Sequence, residues 1–333
     1  MSFFAILFAL LIEQVRPLSR SNPIHGGLRS WARWVAGNFD AGKAHHGWIA
    51  WGLAVLGPTV GSLAVHLLLL TYAGWVFAML WSVAILYVTL GFRQFSHHFT
   101  NIRDALDGGD EPRARELLAQ WQQVDASELP RSEIVRHVIE YSVLAAHRHV
   151  FGVLGWFSVL AAFGLGPAGA VLYRMSEFVH RYWLQSGKQA DHPVSPALLS
   201  VASRAWYRLD WLPSRTTALG FAVVGSFEEA IDCWRNYAQR FPNDNDGVIL
   251  AATSGAVNVR LGGEALRAAG YPATANGFGT IGVAADTLAD SSESTPGREA
   301  EVGHLRTIVG LVWRSVVLWM MLLALLTLAR LLG

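Results

Sequence analysis

The sequence predicts an all-α fold, a polytopic helical integral membrane protein, and three observations carry that prediction. Hydrophobic residues make up 52% of the 333 and charged residues only 15%, more apolar surface than one soluble core of this length uses. From Trp48 to Phe92 there is no Asp, Glu, Lys or Arg, a run about twice the roughly 20 residues that one helical span needs. The 14 tryptophans suit aromatic belts at the lipid–water interface.

The same composition narrows the function classes. A formal net charge of +1 with no Lys/Arg block leaves no electrostatic footprint for nucleic acid. The single cysteine, Cys233, rules out an internal disulfide and a four-cysteine zinc site; neither zinc nor haem is expected. Histidines come as His45-His46, His97-His98 and His147 with His149, spacings that point apart on a helix, where metal sites use i, i+3 or i, i+4 pairs. His66, inside the apolar run, suits a hydrogen-bonded core position.

In chain order, residues 1–92 read as an N-terminal apolar helix (3–15), a basic amphipathic interfacial helix and a transmembrane hairpin. The first helix lacks a basic leader and a small-residue cleavage site, so it is expected to be retained. Trp31 and Trp34 share one face of the interfacial segment. The hairpin is expected to break near Thr71–Gly74, which returns the basic 16–43 and 93–148 segments to one side. By the positive-inside rule that side is the cytoplasm, and the protein is expected in a bacterial inner membrane as a multi-pass chain. Residues 93–148 read as a cytoplasmic helical segment, with helices opening at Asp110-Glu111-Pro112 and after Pro130.

Residues 149–225 hold a third apolar stretch interrupted by Gly164-Leu165-Gly166-Pro167. A broken or re-entrant helix over 150–175 is expected there, with the freed backbone covered by protein. Residues 226–305 read as a cytoplasmic glycine-rich segment followed by a flexible linker from Asp286 to Arg298. Residues 306–333 form a C-terminal span, with Arg314 snorkelling.

Two stretches can carry chemistry. Leu209-Asp210-Trp211-Leu212-Pro213-Ser214-Arg215 sets a carboxylate, a proline-fixed turn and an arginine within a few residues. It is either a helix start with a snorkelling arginine or a clamp whose guanidinium fork meets an anion. Asn245–Gly263 contains four glycines and the small residues Ala251, Ala252, Ser254 and Ala256, then Arg260 beside Leu-Gly-Gly. Small residues let a second helix or a flat ligand approach the backbone, and glycines take positive φ cheaply. A tight helix crossing and a ligand wall both fit. Asp125, Glu133 and Glu140 are acids that can hold Mg²⁺, a pattern that solvated helix faces share.

The order and spacing of several segments resemble the adenosylcobinamide-phosphate synthase (CobD/CbiB) family of cobalamin biosynthesis, over about residues 92–263. The segments are F-R-Q-F-S-H-H, A-L-D-G-G-D-E-P-R, V-D-A-S-E-L-P-R, G-P-A-G-A-V-L-Y-R ending on Tyr173 and Arg174, P-S-R-T-T-A-L from Pro213, and the N-x-G, A-A, G-A and V-R-L-G-G of the glycine stretch. The resemblance implies attachment of an aminopropanol phosphate to adenosylcobyric acid by ATP- and Mg²⁺-dependent amide formation. It further implies a corrinoid or other anionic small molecule as partner, beside the lipid bilayer and a possible second copy of the chain. On this resemblance Arg174, Arg215, Asn245 and Arg260 meet anions, and Gly255, Gly262 and Gly263 allow close approach.

The chain departs from the family at its acids. No Asp or Glu occurs from Tyr141 to Ser176, Ala145, Ala146 and His149 stand about where acids belong, and Trp206, Tyr207 and Leu250 replace others. Asp210 and Glu177 are the catalytic candidates left to compensate, and no metal ligand set is expected. The same losses mark the AmpE-type membrane proteins associated with β-lactamase regulation, whose L-D-W-V-P-V-R is similar to L-D-W-L-P-S-R here. A non-catalytic sensory or regulatory role is therefore the alternative.

Overall fold

The computed structural model describes residues 2–15, 23–122, 125–186, 194–263 and 294–332. Its helices are α1 (Ser2–Val15), α2 (Pro23–Phe39), α3 (Ala44–Leu68), α4 (Trp75–Thr89), α5 (Phe92–Asp107), α6 (Glu111–Gln122), α7 (Arg131–Ala146), α8 (Gly152–Ala162), α9 (Ala168–Ser186), α10 (Pro196–Val224), α11 (Phe227–Tyr237), α12 (Asp244–Val257) and α13 (Val302–Leu332). No strand occurs among the described residues, and one isolated bridge pairs Val259 with Arg298. Three helical stretches are long and apolar enough to cross a membrane: Ala44–Ala73, Arg131–Ala162 and Val302–Ala329. The chain is an all-α, polytopic membrane protein. It packs as two compact units, one of Met1–Gln94, Arg148–Pro213 and Leu322–Gly333, the other of Phe95–His147 and Ser214–Met321.

In the first unit, α3 runs into a π turn at Leu69–Ala73 and reverses at Gly74, whose φ of 90° suits glycine, before α4 begins. The expected hairpin break falls there. The α8–α9 break occurs at Gly164 and Gly166, with φ of 78° and 55°, and α9 folds back on α8. Two glycines make that crossing close, since a Cβ at Gly152 would overlap the Tyr173 ring and one at Gly169 the backbone carbonyl of Trp156. The apolar core joins Ala32 and Val35 of α2, Ala50, Ala54 and Val55 of α3, Val171, Met175, Val179 and Trp183 of α9, and Leu198 and Ala202 of α10.

Both helix-interior prolines of this unit are accommodated in one way. A proline lacks the N–H that would bond to the carbonyl four residues earlier. For Pro58 in α3 that carbonyl belongs to Ala54, and the Trp31 indole N–H donates to it at 3.2 Å. For Pro213 in α10 it belongs to Leu209, and the Trp156 indole N–H donates to it at 2.9 Å. The sequence led us to expect a proline-fixed turn at Leu209–Arg215; the structure has continuous helix, because a neighbouring tryptophan satisfies the freed carbonyl.

In the second unit, α11 and α12 cross closely, and a Cβ at Gly255 would overlap the Glu229 backbone carbonyl. Helix α12 ends on Asn258 in the left-handed conformation, φ 52°, which asparagine tolerates; the cap is therefore not one of the later glycines. Helix α7, expected within a cytoplasmic segment, is the first part of the apolar stretch Arg131–Ala162. It continues through a π turn at His147–Phe151 into α8 without a break. Ile134, Val135, Val138, Ile139 and Val143 are fully buried along it, and Arg136 bonds to Glu133 and Glu140, so its charges neutralise one another inside protein.

Residues 286–293 of the expected linker lie outside the described residues. Its end is pinned instead of free. Thr295, 2% exposed, exchanges hydrogen bonds with Leu261 and accepts one from Ser254 at 2.7 Å, while Arg260 N–H donates to the Arg298 carbonyl at 2.7 Å. Here the glycine stretch is covered by its own chain from about 40 residues downstream, a contact no local pattern announces.

The proline arrangement predicts a double-mutant result. Trp156→Phe leaves the Leu209 carbonyl without its side-chain donor and should cost about 1–3 kcal/mol. Pro213→Ala restores the backbone donor, so the double variant should melt above Trp156→Phe alone in detergent thermal denaturation. Additive melting shifts would show that the two residues do not share that carbonyl.

Candidate functional site

The first unit gathers Tyr173, Arg174, Ser176, Glu177, His180 and Arg181 on α9. Residues three and four apart on a helix are neighbours, so Tyr173, Ser176, Glu177 and His180 share one side, and Arg174 and Arg181 flank Glu177. The Arg174 guanidinium donates to Glu177 Oε2 at 2.6 Å, and Arg181 Nε lies 3.5 Å from Oε1. Glu177 is 3% exposed. Burial pushes its carboxyl up, and the opposing fields of Arg181, Arg174, His149 and Arg148 outweigh that, holding it at about 2.

Opposite α9 stands the Asp210 end of α10. Asp210, 1% exposed, accepts the Tyr173 hydroxyl at 2.7 Å. Tyr173 and His180 lie against Trp206, with ring centroids 5.2 and 6.2 Å apart. Burial, then the Arg148 and Arg181 fields, lowers the His180 imidazole to about 4 against the opposing pull of Glu177 and Asp210. The catalytic candidates Glu177 and Asp210 thus share one neighbourhood, and each is already bonded to a neighbouring donor.

Three polar atoms there are buried without a hydrogen-bond partner among the described residues: Ser176 Oγ, His149 Nδ1 and His180 Nδ1. Leaving such a group unsatisfied costs about 1–3 kcal/mol, so three in one neighbourhood call for a reason. Sequence reasoning singled out Arg174 and Glu177 but missed Ser176, His180 and Arg148. The i, i+4 spacing of Ser176 with His180 was the signal available.

The second unit holds the other predicted residues. The Arg215 guanidinium donates to Asn245 Oδ1 at 2.8 Å and to Ser214 Oγ at 3.2 Å, and Asn245 is 1% exposed. Two motif segments 30 residues apart therefore meet. Gly255 lies in the α11–α12 crossing. The Gly262 N–H donates to Glu140 Oε1 at 2.8 Å, and Glu140 is also within 3.0 Å of Arg136 and 3.6 Å of His137. Arg260 is exposed, and Gly263, φ 107°, has open space where a Cβ would stand. His147 Nδ1 bonds the Thr217 hydroxyl at 2.9 Å. Among the described residues no three His, Cys, Asp or Glu side chains form a group able to hold a metal ion. Glu177, Asp210 and Glu140 accept from guanidinium, phenol or backbone donors and the buried Asp246 from the Asn243 amide, so the donor set does not fit Mg²⁺.

The fold defines a multi-spanning helical membrane protein with buried, internally paired charges. The family model for the CobD/Cbib protein matches residues 3–183, more than half the chain. The chain belongs to that family. It is similar to a cobalamin biosynthesis protein CobD of Stutzerimonas stutzeri (strain A1501), 28% identical over 328 residues and 96% of each chain. A protein of the same name from Chromobacterium violaceum is 34% identical over 213 residues, 62% of this chain and 65% of that one. No solved structure matches it.

Two shifted groups outside the apolar spans, His180 and Glu177, predict an acid-sensitive fold. His180 sits lower folded, about 4, than its ordinary 6.5. Below about 6.5 the unfolded chain binds the extra proton, so stability falls as pH drops from about 6.5 to 4. Glu177 likewise contributes stability above its ordinary 4.5 that is lost as pH falls toward about 2. Thermal melting across pH 7 to 3 should show both declines, and His180→Asn should flatten the upper one. An unchanged upper slope in that variant would remove His180 as its source.

Proposed function

We propose that this chain acts in cobalamin biosynthesis at the bacterial inner membrane, in the step that joins an aminopropanol phosphate to adenosylcobyric acid. The observation that carries the reading is the Arg215–Asn245 hydrogen bond at 2.8 Å. It ties P-S-R-T-T-A-L to N-x-G, the two segments whose order and spacing are most like the synthases. Family membership and two relatives named cobalamin biosynthesis proteins support it.

Amide formation needs a carboxylate made electrophilic and an amine held against it. ATP is the activating co-substrate the reading requires. Arg215, partly exposed and fixed by Asn245, presents a planar guanidinium whose fork matches a phosphate or carboxylate. Charge that develops at an activated carboxyl is best stabilised by donors fixed beforehand, and Asn245 does that for Arg215. We route no step through a divalent ion, because the carboxylates here are otherwise engaged.

That same engagement favours a second reading, a non-catalytic AmpE-like regulator that binds an anionic ligand. Complementation separates the two. The chain should restore growth of a synthase-deficient bacterium supplied with cobyric acid, and the purified protein should bind a corrinoid. Arg215→Ala should lower growth-supporting activity about a hundredfold and Asn245→Ala about tenfold, as expected for losing a charge-assisted bond and its positioning partner. Failure of both rescue and corrinoid binding would discard the synthase reading, and corrinoid binding without rescue would favour the regulator.

A further inference from the structure

We infer that the first unit carries a metal-independent oxyanion site for a phosphate monoester, in which Arg148, Arg174 and Arg181 supply charge and Ser176, His149 and His180 supply neutral hydrogen bonds. The inference deepens the proposed function by placing a phosphate-bearing substrate at α9, and its test is separate from that of the reaction.

Three lines of observation converge. The first is charge. Three guanidiniums act on Glu177, and the only other carboxylate among the groups that influence His180 is Asp210, which accepts the Tyr173 hydroxyl. The three guanidiniums outnumber the two carboxylates, Glu177 being bonded to Arg174 and Asp210 to a phenol. Arg174 spends its Nη1 on Glu177, and a guanidinium has five N–H donors in a planar fork that matches phosphate.

The second is unsatisfied hydrogen bonding. Ser176 is fully buried and its hydroxyl has no partner among the described residues; Nδ1 of His149 and of His180 are also buried without one. Ser176 and His180 are i, i+4 on α9, beside the face that carries Glu177, and His149 acts on Glu177. A hydroxyl can donate to a phosphate oxygen, and a neutral imidazole can do so in the tautomer that carries its proton on Nδ1. A tetrahedral dianion uses several such donors together with arginines.

The third is local geometry. Arg148 and His149 stand in the π turn His147–Phe151, a helical irregularity common at functional positions. A planar carboxylate would need fewer cations, which is why a phosphate monoester is the better fit. A phospholipid headgroup shares the phosphate chemistry but carries a single charge.

The test uses the full-length chain in a non-ionic detergent with EDTA, titrated with inorganic phosphate and followed by calorimetry and tryptophan fluorescence, since His180 lies on Trp206. Saturable binding should appear without metal and change less than about twofold on adding Mg²⁺. Arg174→Lys keeps the charge, loses the fork, and should weaken binding about tenfold. Ser176→Ala removes a buried hydroxyl without adding volume; it should fold at least as well and bind phosphate about fivefold more weakly. A Ser176→Ala protein that melts normally and binds unchanged would overturn the assignment. So would binding that requires Mg²⁺, or binding abolished by Arg215→Ala and untouched by Arg174→Lys. Displacement of phosphate by phosphatidylglycerol in mixed micelles would assign the site to a lipid headgroup and overturn the monoester. Phosphate binding with these variant effects, in a chain that fails to rescue growth, upholds this site and rejects the synthase reading alone.

Discussion

Two indole N–H groups hold open the possibility of proline inside this protein's helices, and much of the first unit rests on them. Where water is scarce, a carbonyl freed by proline must find a donor. Trp31 gives one to Ala54 below Pro58, and Trp156 gives one to Leu209 below Pro213. Each bond ties the proline helix to a neighbour: α3 to α2, and α10 to α8. The residue after Leu209 is Asp210, so the Trp156 bond fixes the backbone next to the carboxylate that Tyr173 meets. Gly152 and Gly169 bring α9 against α8 from the other side. Close crossing and carbonyl satisfaction together position Tyr173, Glu177 and Asp210.

Charge pairing is the second constraint. A buried ion pair is weak evidence for stability, but removing one partner leaves an uncompensated charge and typically costs about 3–5 kcal/mol. Glu177 with Arg174 and Arg181, and Glu140 with Arg136, are such pairs. Their carboxylates belong to the arginines first. Glu140 also accepts from Gly262, so in the second unit an internal carboxylate occupies the backbone donor that glycine composition alone would offer to a ligand.

Much of this was legible in the residues. The uncharged run from Trp48 to Phe92, the Thr71–Gly74 reversal and the G-L-G-P break all follow from lipid's demand for uninterrupted backbone pairing, and α3, α4, α8 and α9 are placed accordingly. The continuity of α7 into α8 was hidden because Arg136 and Glu140 look like a solvated face until their mutual pairing is seen. The Leu209–Arg215 segment read as a turn because local rules treat an interior proline as a breaker; the donor that cancels the rule lies 53 residues earlier in sequence. Thr295 on the glycine stretch and Asn258 as the helix cap were hidden likewise, the first by sequence distance and the second by the glycines nearby.

Sequence distance also explains how the polar sites were read. Arg215 and Asn245 could be nominated singly from their motifs, yet their meeting depends on how α12 packs, which a linear pattern does not encode. Ser176, His149 and His180 illustrate the opposite case. Each is unremarkable in composition, and only their burial without partners, beside three arginines, gives them chemical meaning.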